Sequence, residues 1–166
     1  VINQGTFSFQ SLAPLSTDRL LTKQVLFFDE KVYFLQDNRL FEYDPISSDV
    51  QYYDSDSMSG SFIYMFPFDG MLLTESISSS YYLKDSLSMG VRILPDSGIV
   101  ISAAMQPSTQ HMILSSYEGN VYTYDKEVQK IDSFEGKIIN DLAWVSKDIF
   151  AASTLSEGVF FYDLSK

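Results

Sequence analysis

Few side chains in this sequence are equipped for acid–base, nucleophilic or metal chemistry near neutral pH. There is one histidine, His111, and no cysteine. That excludes a histidine cluster, a thiolate nucleophile, a cysteine-based zinc site and a disulfide framework. Carboxylates are the plentiful groups, with 15 Asp and 7 Glu among 166 residues. Glycoside hydrolysis asks for two of them converging in a cleft, at about 5 to 10 Å. Glu118 and Glu157, each beside a glycine in successive repeats of the sequence, are the pair whose placement offers that geometry. Repeat equivalence alone also produces such a pair, and two plain turns are the simpler reading. Asp54-Ser-Asp56-Ser-Met-Ser-Gly60 has the spaced aspartates of a calcium loop, but Ser59 and Met65 stand where an EF-hand needs Gly and Glu. It reads as a solvated turn. No glycine-rich phosphate loop and no Ser-His-Asp set is present. The expectation is therefore a segment that is not an enzyme and has no catalytic residue, no metal and no cofactor.

The charge balance narrows the partners. The formal net charge is −11, which argues against binding a nucleic-acid backbone, since that requires a basic patch to displace counterions. No apolar run approaches the roughly 18 residues of a membrane span, so membrane attachment is expected only through parts outside this chain. Lack of cysteine is compatible with an oxidising compartment.

The elements that must carry these groups are strands. Asp bonds its own backbone in turns whereas Glu prefers helix interiors, so the excess of Asp points to many turns. Residues 24–28, 31–35, 39–43 and 50–53 form β-branched or aromatic runs bounded by Asp, Asn, Pro or Ser. No window holds a capped amphipathic helix of ten or more residues; 137–145 is short and reads equally well as a strand. At 15% aromatic, global disorder is excluded, and the fold class is all-β.

Internal repetition then gives the architecture. Four apolar or aromatic runs close on Asp: Leu40-Phe-Glu-Tyr-Asp44, Tyr81-Tyr-Leu-Lys-Asp85, Val121-Tyr-Thr-Tyr-Asp125 and Val159-Phe-Phe-Tyr-Asp163. The closing aspartates are 41, 40 and 38 residues apart, the period of about 40 to 45 that a four-stranded β-propeller blade requires. A second strand precedes each run (32–35, 71–74, 112–115, 149–152) and a first strand precedes that (25–28, 62–65, 99–103, 139–144). Fourth strands are expected at 50–53, 91–94 and 128–131. A sandwich or barrel would also alternate strands and turns but gives no reason for this period. The expected organisation is a single propeller domain or partial propeller over 1–166. It has a spare strand within 1–12 (Thr6 to Ser11) and blades at about 22–57, 60–97, 98–134 and 137–166. The opening at Val1 and the stop at Lys166 before a last fourth strand read as a piece of a larger propeller.

The third and fourth units, His111-Met-Ile-Leu-Ser-Ser-Tyr-Glu-Gly-Asn-Val-Tyr-Thr-Tyr-Asp125 and Asp148-Ile-Phe-Ala-Ala-Ser-Thr-Leu-Ser-Glu-Gly-Val-Phe-Phe-Tyr-Asp163, resemble repeats of the two-component regulator propellers. The first unit's Tyr43-Asp-Pro45 leading into Val50-Gln-Tyr-Tyr53 is similar to that family's turn into an aromatic fourth strand. Ala-Ser-Thr or Leu-Ser-Ser stands in place of the family's Ile-Gly-Thr, and no unit has its Trp. The resemblance implies a periplasmic, extracytoplasmic sensor part of an inner-membrane hybrid histidine kinase of the Bacteroides type, responding to glycans.

On a propeller, turns joining second and third strands gather at one end of the ring. Asn38, Tyr117, Glu118 and Glu157 fall in those turns and are the candidate ligand-binding residues. The expected partners are an oligosaccharide or a neighbouring propeller or protein domain, with a homodimer as a further option. A cytoplasmic WD40-like interaction scaffold is the alternative, and a propeller glycosidase or lyase the third reading. His111 reads as structural or surface, and Trp144, in an innermost strand, as packed between blades.

Overall fold

Two hairpins show how local chemistry sets the strands. In a computed structural model, which describes residues 22–36, 39–54, 62–84, 86–106, 108–134 and 136–166, Asp69 and Gly70 have φ of +49° and +71°. This left-handed pair is the hairpin geometry whose twist matches that of the flanking strands, and Asp-Gly is a favoured sequence for it. Asp29 and Glu30 adopt the same geometry, with φ of +48° and +62°, without a glycine to relieve it.

Each hairpin opens an antiparallel sheet in which sequence order is spatial order. The first sheet is β1 (Thr22–Phe28), β2 (Lys31–Gln36), β3 (Arg39–Tyr43) and β4 (Val50–Asp54). The second is β5 (Phe62–Phe68), β6 (Met71–Ser76), β7 (Ser80–Leu83) and β8 (Leu87–Gly90). The third is β9 (Val100–Met105), β10 (Met112–Ser116), β11 (Asn120–Asp125) and β12 (Glu127–Ser133). The fourth, with three strands among the described residues, is β13 (Ile139–Trp144), β14 (Ile149–Thr154) and β15 (Gly158–Asp163). Packing runs in chain order through the innermost strands, β1 on β5, β5 on β9 and β9 on β13. This is a β-propeller arrangement of four blades.

The repeat is structural as well as sequential. Tyr43 pairs Val32, Tyr124 pairs Met112 and Tyr162 pairs Phe150, the same rung of each sheet. Each innermost strand also carries a register irregularity at its start, at Thr22/Gln24, Phe62/Tyr64, opposite Ser115/Ser116, and at Ile139/Asp141. Such bulges bend a strand and increase its local twist. The second unit departs from expectation. Leu83 holds the rung of the tyrosines, opposite Leu72, while Lys84 lies outside the strand and Asp85 outside the described residues. A tight connection pairs Leu83 with Leu87, so the fourth strand is Leu87–Gly90 and not 91–94, which is left to span to the next sheet. The spare strand expected within 1–12 lies outside the described residues, as does most of the calcium-like run.

Three apolar clusters lie between successive sheets. Leu35 and Leu40 of the first sheet meet Phe62, Met65 and Tyr81 of the second. Phe66 and Leu73 meet Met112, Leu114 and Tyr122 of the third. Ile113 and Val121 meet Leu142, Phe150 and Ala152 of the fourth. Burying a Leu or Phe side chain contributes about 1.5–3 kcal/mol, and the middle sheets collect this on both faces. That is why their strands are apolar at consecutive positions rather than alternating. Trp144 seals the third cluster: its indole N–H donates to the Ala104 carbonyl at 3.1 Å, and its ring meets Phe150 edge-on with centroids 6.1 Å apart.

Candidate functional site

The turns between second and third strands share one end of the molecule with the connectors between sheets. The Tyr117-Glu118-Gly119 turn is pinned there by its backbone: Tyr117 N–H donates to Ile99 O, Gly119 N–H to Ser116 O, and Phe134 N–H to Gly119 O, at 2.9, 3.0 and 2.9 Å. Gly119 has φ of +83°, and a Cβ there would lie 2.5 Å from the carbonyl oxygens of both Phe134 and Lys137, so this position requires glycine. The turn backbone is fixed while Tyr117 stays 59% exposed with Glu118 exposed beside it.

Glu157 occupies the next turn and is held by an ion pair with Lys137, whose ammonium also lies 5.3 Å from the centre of the Phe160 ring. Leu155 N–H donates to Ile138 O at 3.3 Å, so the Tyr117 and Glu157 turns both border the connector 134–138. The two carboxylates are not equivalent. Counting from the paired rungs Ser115–Val121 and Ser153–Val159, Glu118 corresponds to Ser156, and Glu157 stands one step further on. Asn38, the remaining sequence candidate, lies outside the described residues.

Two polar clusters support this end that repeat spacing did not reveal. Glu75, fully buried on β6, accepts from the Ser80 hydroxyl at 2.9 Å and the Arg92 guanidinium at 2.8 Å. Arg92 also donates to the carbonyls of Ser76 and Ile77 at 3.0 and 2.7 Å. Oε1 of Glu75 has no hydrogen-bond partner. Burial pushes this carboxyl up to about 7 despite the opposing pull of Ser80 and Arg92. Four residues along the same connector, Asp96 accepts from the Tyr122 hydroxyl, from Asn120 Nδ2 at 3.1 Å and from Gly98 N–H at 3.2 Å. Burial works to raise the Asp96 carboxyl, but these donors together hold it below the usual range. The Tyr122 phenol is pushed well up by burial and by the carboxylate it bonds. One signal for Glu75 was available in the sequence: a carboxylate inside the apolar run of β6, on the rung that Leu35 fills in the first sheet.

The closing aspartates divide by turn length. Asp44 Oδ1 accepts from Ile46 and Ser47 N–H groups at 2.7 and 3.2 Å, and Asp163 Oδ1 from the Ser165 hydroxyl at 2.5 Å and its N–H at 3.0 Å; these bonds lower both carboxyls. Asp125 has no such loop to cap, because Lys126, with φ of +73°, turns the chain straight into Glu127. It faces His111 instead, Nε2 to Oδ2 at 3.2 Å. Nearby, at the opposite end of the molecule, a pocket of about 390 Å³ lies between the second and third sheets, lined by Phe68, Tyr124, Asp69, Thr109 and Lys126 among others. Its aromatic wall is the Phe68–Tyr124 pair, with centroids 4.7 Å apart. Among the described residues no group of three or more His, Cys, Asp or Glu is placed to hold a metal ion, and no helix is long and apolar enough to cross a membrane.

No protein-family model matches this chain, and no curated protein matches its sequence. Solved structures do resemble it. The extracellular domain of a B. thetaiotaomicron protein, described in one structure as a one-component system, superposes with a TM-score of 0.69 at 11% identity, over 92% of this chain and 22% of that one. A second structure, described as the extracellular domain of a hybrid two-component system, gives 0.68 at 12% identity over 87% and 21%. The designed protein Ika4 gives 0.63 at 12% identity, over 95% of this chain and 99% of its own. The β-propeller domain of Myceliophteria thermophila Cps50 gives 0.57 at 12% identity, over 86% of this chain and 50% of that domain. At such identities the likeness shows the fold, and the chain spans about a fifth of the extracellular domains it resembles.

Proposed function

We propose that this chain is a recognition segment of an extracytoplasmic sensor, binding an oligosaccharide at the end that carries Tyr117, Glu118 and Glu157, without chemical turnover. The observation that carries the reading is an exposed Tyr117 ring on a turn whose backbone is held by hydrogen bonds on both sides. Tyr offers a large rigid contact face at low entropic cost, and the neighbouring carboxylates are acceptors for hydroxyl groups. The resemblance to extracellular domains of one- and two-component systems supports the sensing role and the location. Recognition rather than catalysis is supported by a sequence with no cysteine and a single histidine, and by the full burial of Glu75, the carboxyl held up to about 7.

Calorimetric titration of neutral oligosaccharides and short peptides against the protein, with Tyr117→Ala and Glu118→Ala in parallel, tests the site. An oligosaccharide affinity lowered about tenfold or more in either variant is expected. Affinity undiminished in both removes the site. The aromatic pocket at the other end is the second place for a ligand, and loss of binding in Lys126→Ala alone would move it there. Release of product from any oligosaccharide would overturn the non-catalytic reading.

A further inference from the structure

At the end of the molecule opposite Tyr117, the second and third sheets carry turns of unequal length. Two residues, Asp69 and Gly70, join β5 to β6, whereas six separate β9 from β10. The longer loop is firmly seated. Gln106 N–H donates to His111 O at 2.7 Å and Gln110 N–H to Gln106 O at 3.1 Å. The buried Gln106 side-chain amide also donates to Lys147 O, in the turn between β13 and β14, at 2.7 Å. Between the short turn and the long one lies the pocket of about 390 Å³. That volume is near the lower end of the range for small-molecule sites, so the occupant it fits is small.

The lining divides by chemistry. Phe68, Tyr124, Met105 and Met112 supply apolar surface, with the two rings in contact. A carboxylate and an ammonium come from different sheets, Asp69 from the second and Lys126 from the third. Both residues are exposed, and neither side chain has an ion-pair or hydrogen-bond partner among the described residues. Asp125, the other carboxylate of the lining, already faces His111 at 3.2 Å. Lys126 also has a φ of +73°, a left-handed position that favours glycine. Backbone cost of this kind gathers at functional sites.

A ligand that fits this lining brings one negative charge, one positive charge and an apolar body. A neutral sugar answers neither charge, the terminus of a peptide answers one, and a simple ion leaves the rings uncovered. A free amino acid answers all three. We propose that the pocket binds a free α-amino acid with an aromatic side chain, its ammonium on Asp69, its carboxylate on Lys126 and its ring against Phe68 and Tyr124. Aromatic pairs gain from edge-on or offset packing beyond the area they bury. The site is separate from the Tyr117 end and does not rest on oligosaccharide binding there.

The test is an NMR titration of the 166-residue chain with L-phenylalanine at neutral pH, where the amino acid carries both charges. Phenethylamine and 3-phenylpropionate run beside it; they keep the ring but carry only the ammonium or only the carboxylate. Phenylalanine is expected to bind at least about tenfold more tightly than either. In Asp69→Asn its affinity should fall about tenfold or more, toward that of 3-phenylpropionate. In Lys126→Gln it should fall as far, toward that of phenethylamine. Both side chains are exposed and unpartnered, so both variants should melt with the parent, and Tyr117→Ala should keep the parent affinity for phenylalanine. No shift with up to about 10 mM phenylalanine overturns the proposal. So does a half-analogue that binds as tightly as phenylalanine, or full affinity in either charge variant. A loss in Tyr117→Ala would place the amino acid at the other end and overturn it as well.

Discussion

Glu75 and Asp96 are two carboxylates tied by one connector, and they titrate in opposite directions. Glu75 is wholly buried and sees one cation, one hydroxyl and a bare oxygen; burial wins and the proton is held up to about 7. Asp96 is exposed and has three donors aimed at it, and its carboxyl falls below the usual range. Arg92 reaches back from the connector to the second sheet while Asp96 reaches forward to the third. The difference teaches that a charged partner does not by itself fix a carboxylate as charged; solvent access and the number of donors decide.

The most damaging way to break this comparison is Arg92→Leu. It removes the cation from a buried carboxylate and frees the Ser76 and Ile77 carbonyls. We expect a loss of about 3–5 kcal/mol above pH 8, and a much smaller loss at pH 5, where Glu75 carries its proton. Urea melts at the two pH values check this, and equal losses would mean that Arg92 acts through the carbonyls alone.

Glu75→Leu, which copies Leu35 of the first sheet, sharpens the comparison. The folded value of about 7 lies above the ordinary 4.5. Between these values the unfolded chain has released the proton that the folded chain retains, so stability falls as pH rises through this window. Below the lower value the group contributes no slope, and above the higher value the loss is complete. The variant is expected to lack this decline, whose slope is at most about 1.4 kcal/mol per pH unit. A variant that keeps the wild-type slope would place the titrating group elsewhere.

Asp96→Asn has the smallest expected effect, under about 1 kcal/mol at neutral pH because the group is exposed and solvent screens it. Its sign is opposite. The native value is lowered, so the stabilisation is full above the ordinary carboxylate value and is lost as pH falls through the folded one. The difference between variant and wild type should shrink in melts taken progressively below the ordinary carboxylate range, and a difference that grows with acid would contradict the assignment.

The period was legible because each blade must close its third strand on the same rung: Tyr43, Tyr124 and Tyr162 announce it, and the all-β propeller follows. The second blade shows the limit. Its tight turn after Leu83 starts the fourth strand at Leu87 and releases 91–94 to become a connector, and hydropathy does not distinguish an apolar strand from an apolar strap. Glu75 and Arg92 are 17 residues apart, on a strand and a connector, so only the folded path joins them. The Glu118 and Glu157 match failed by one step because it counted from the glycines, whereas the ladder counts from Val121 and Val159. Tyr117 was legible as a turn residue; the backbone bonds that hold its turn were not.

Trp144 has a use unrelated to recognition. It is the one tryptophan in the chain, and it is packed where the fourth sheet meets the third, with its indole N–H on Ala104. Its emission therefore follows a single seam of the molecule while circular dichroism averages over every strand. If the last blade detaches before the others melt, the fluorescence should shift to longer wavelength at a lower denaturant concentration than the loss of β signal. That gap would measure how independently one blade can come away from its neighbour.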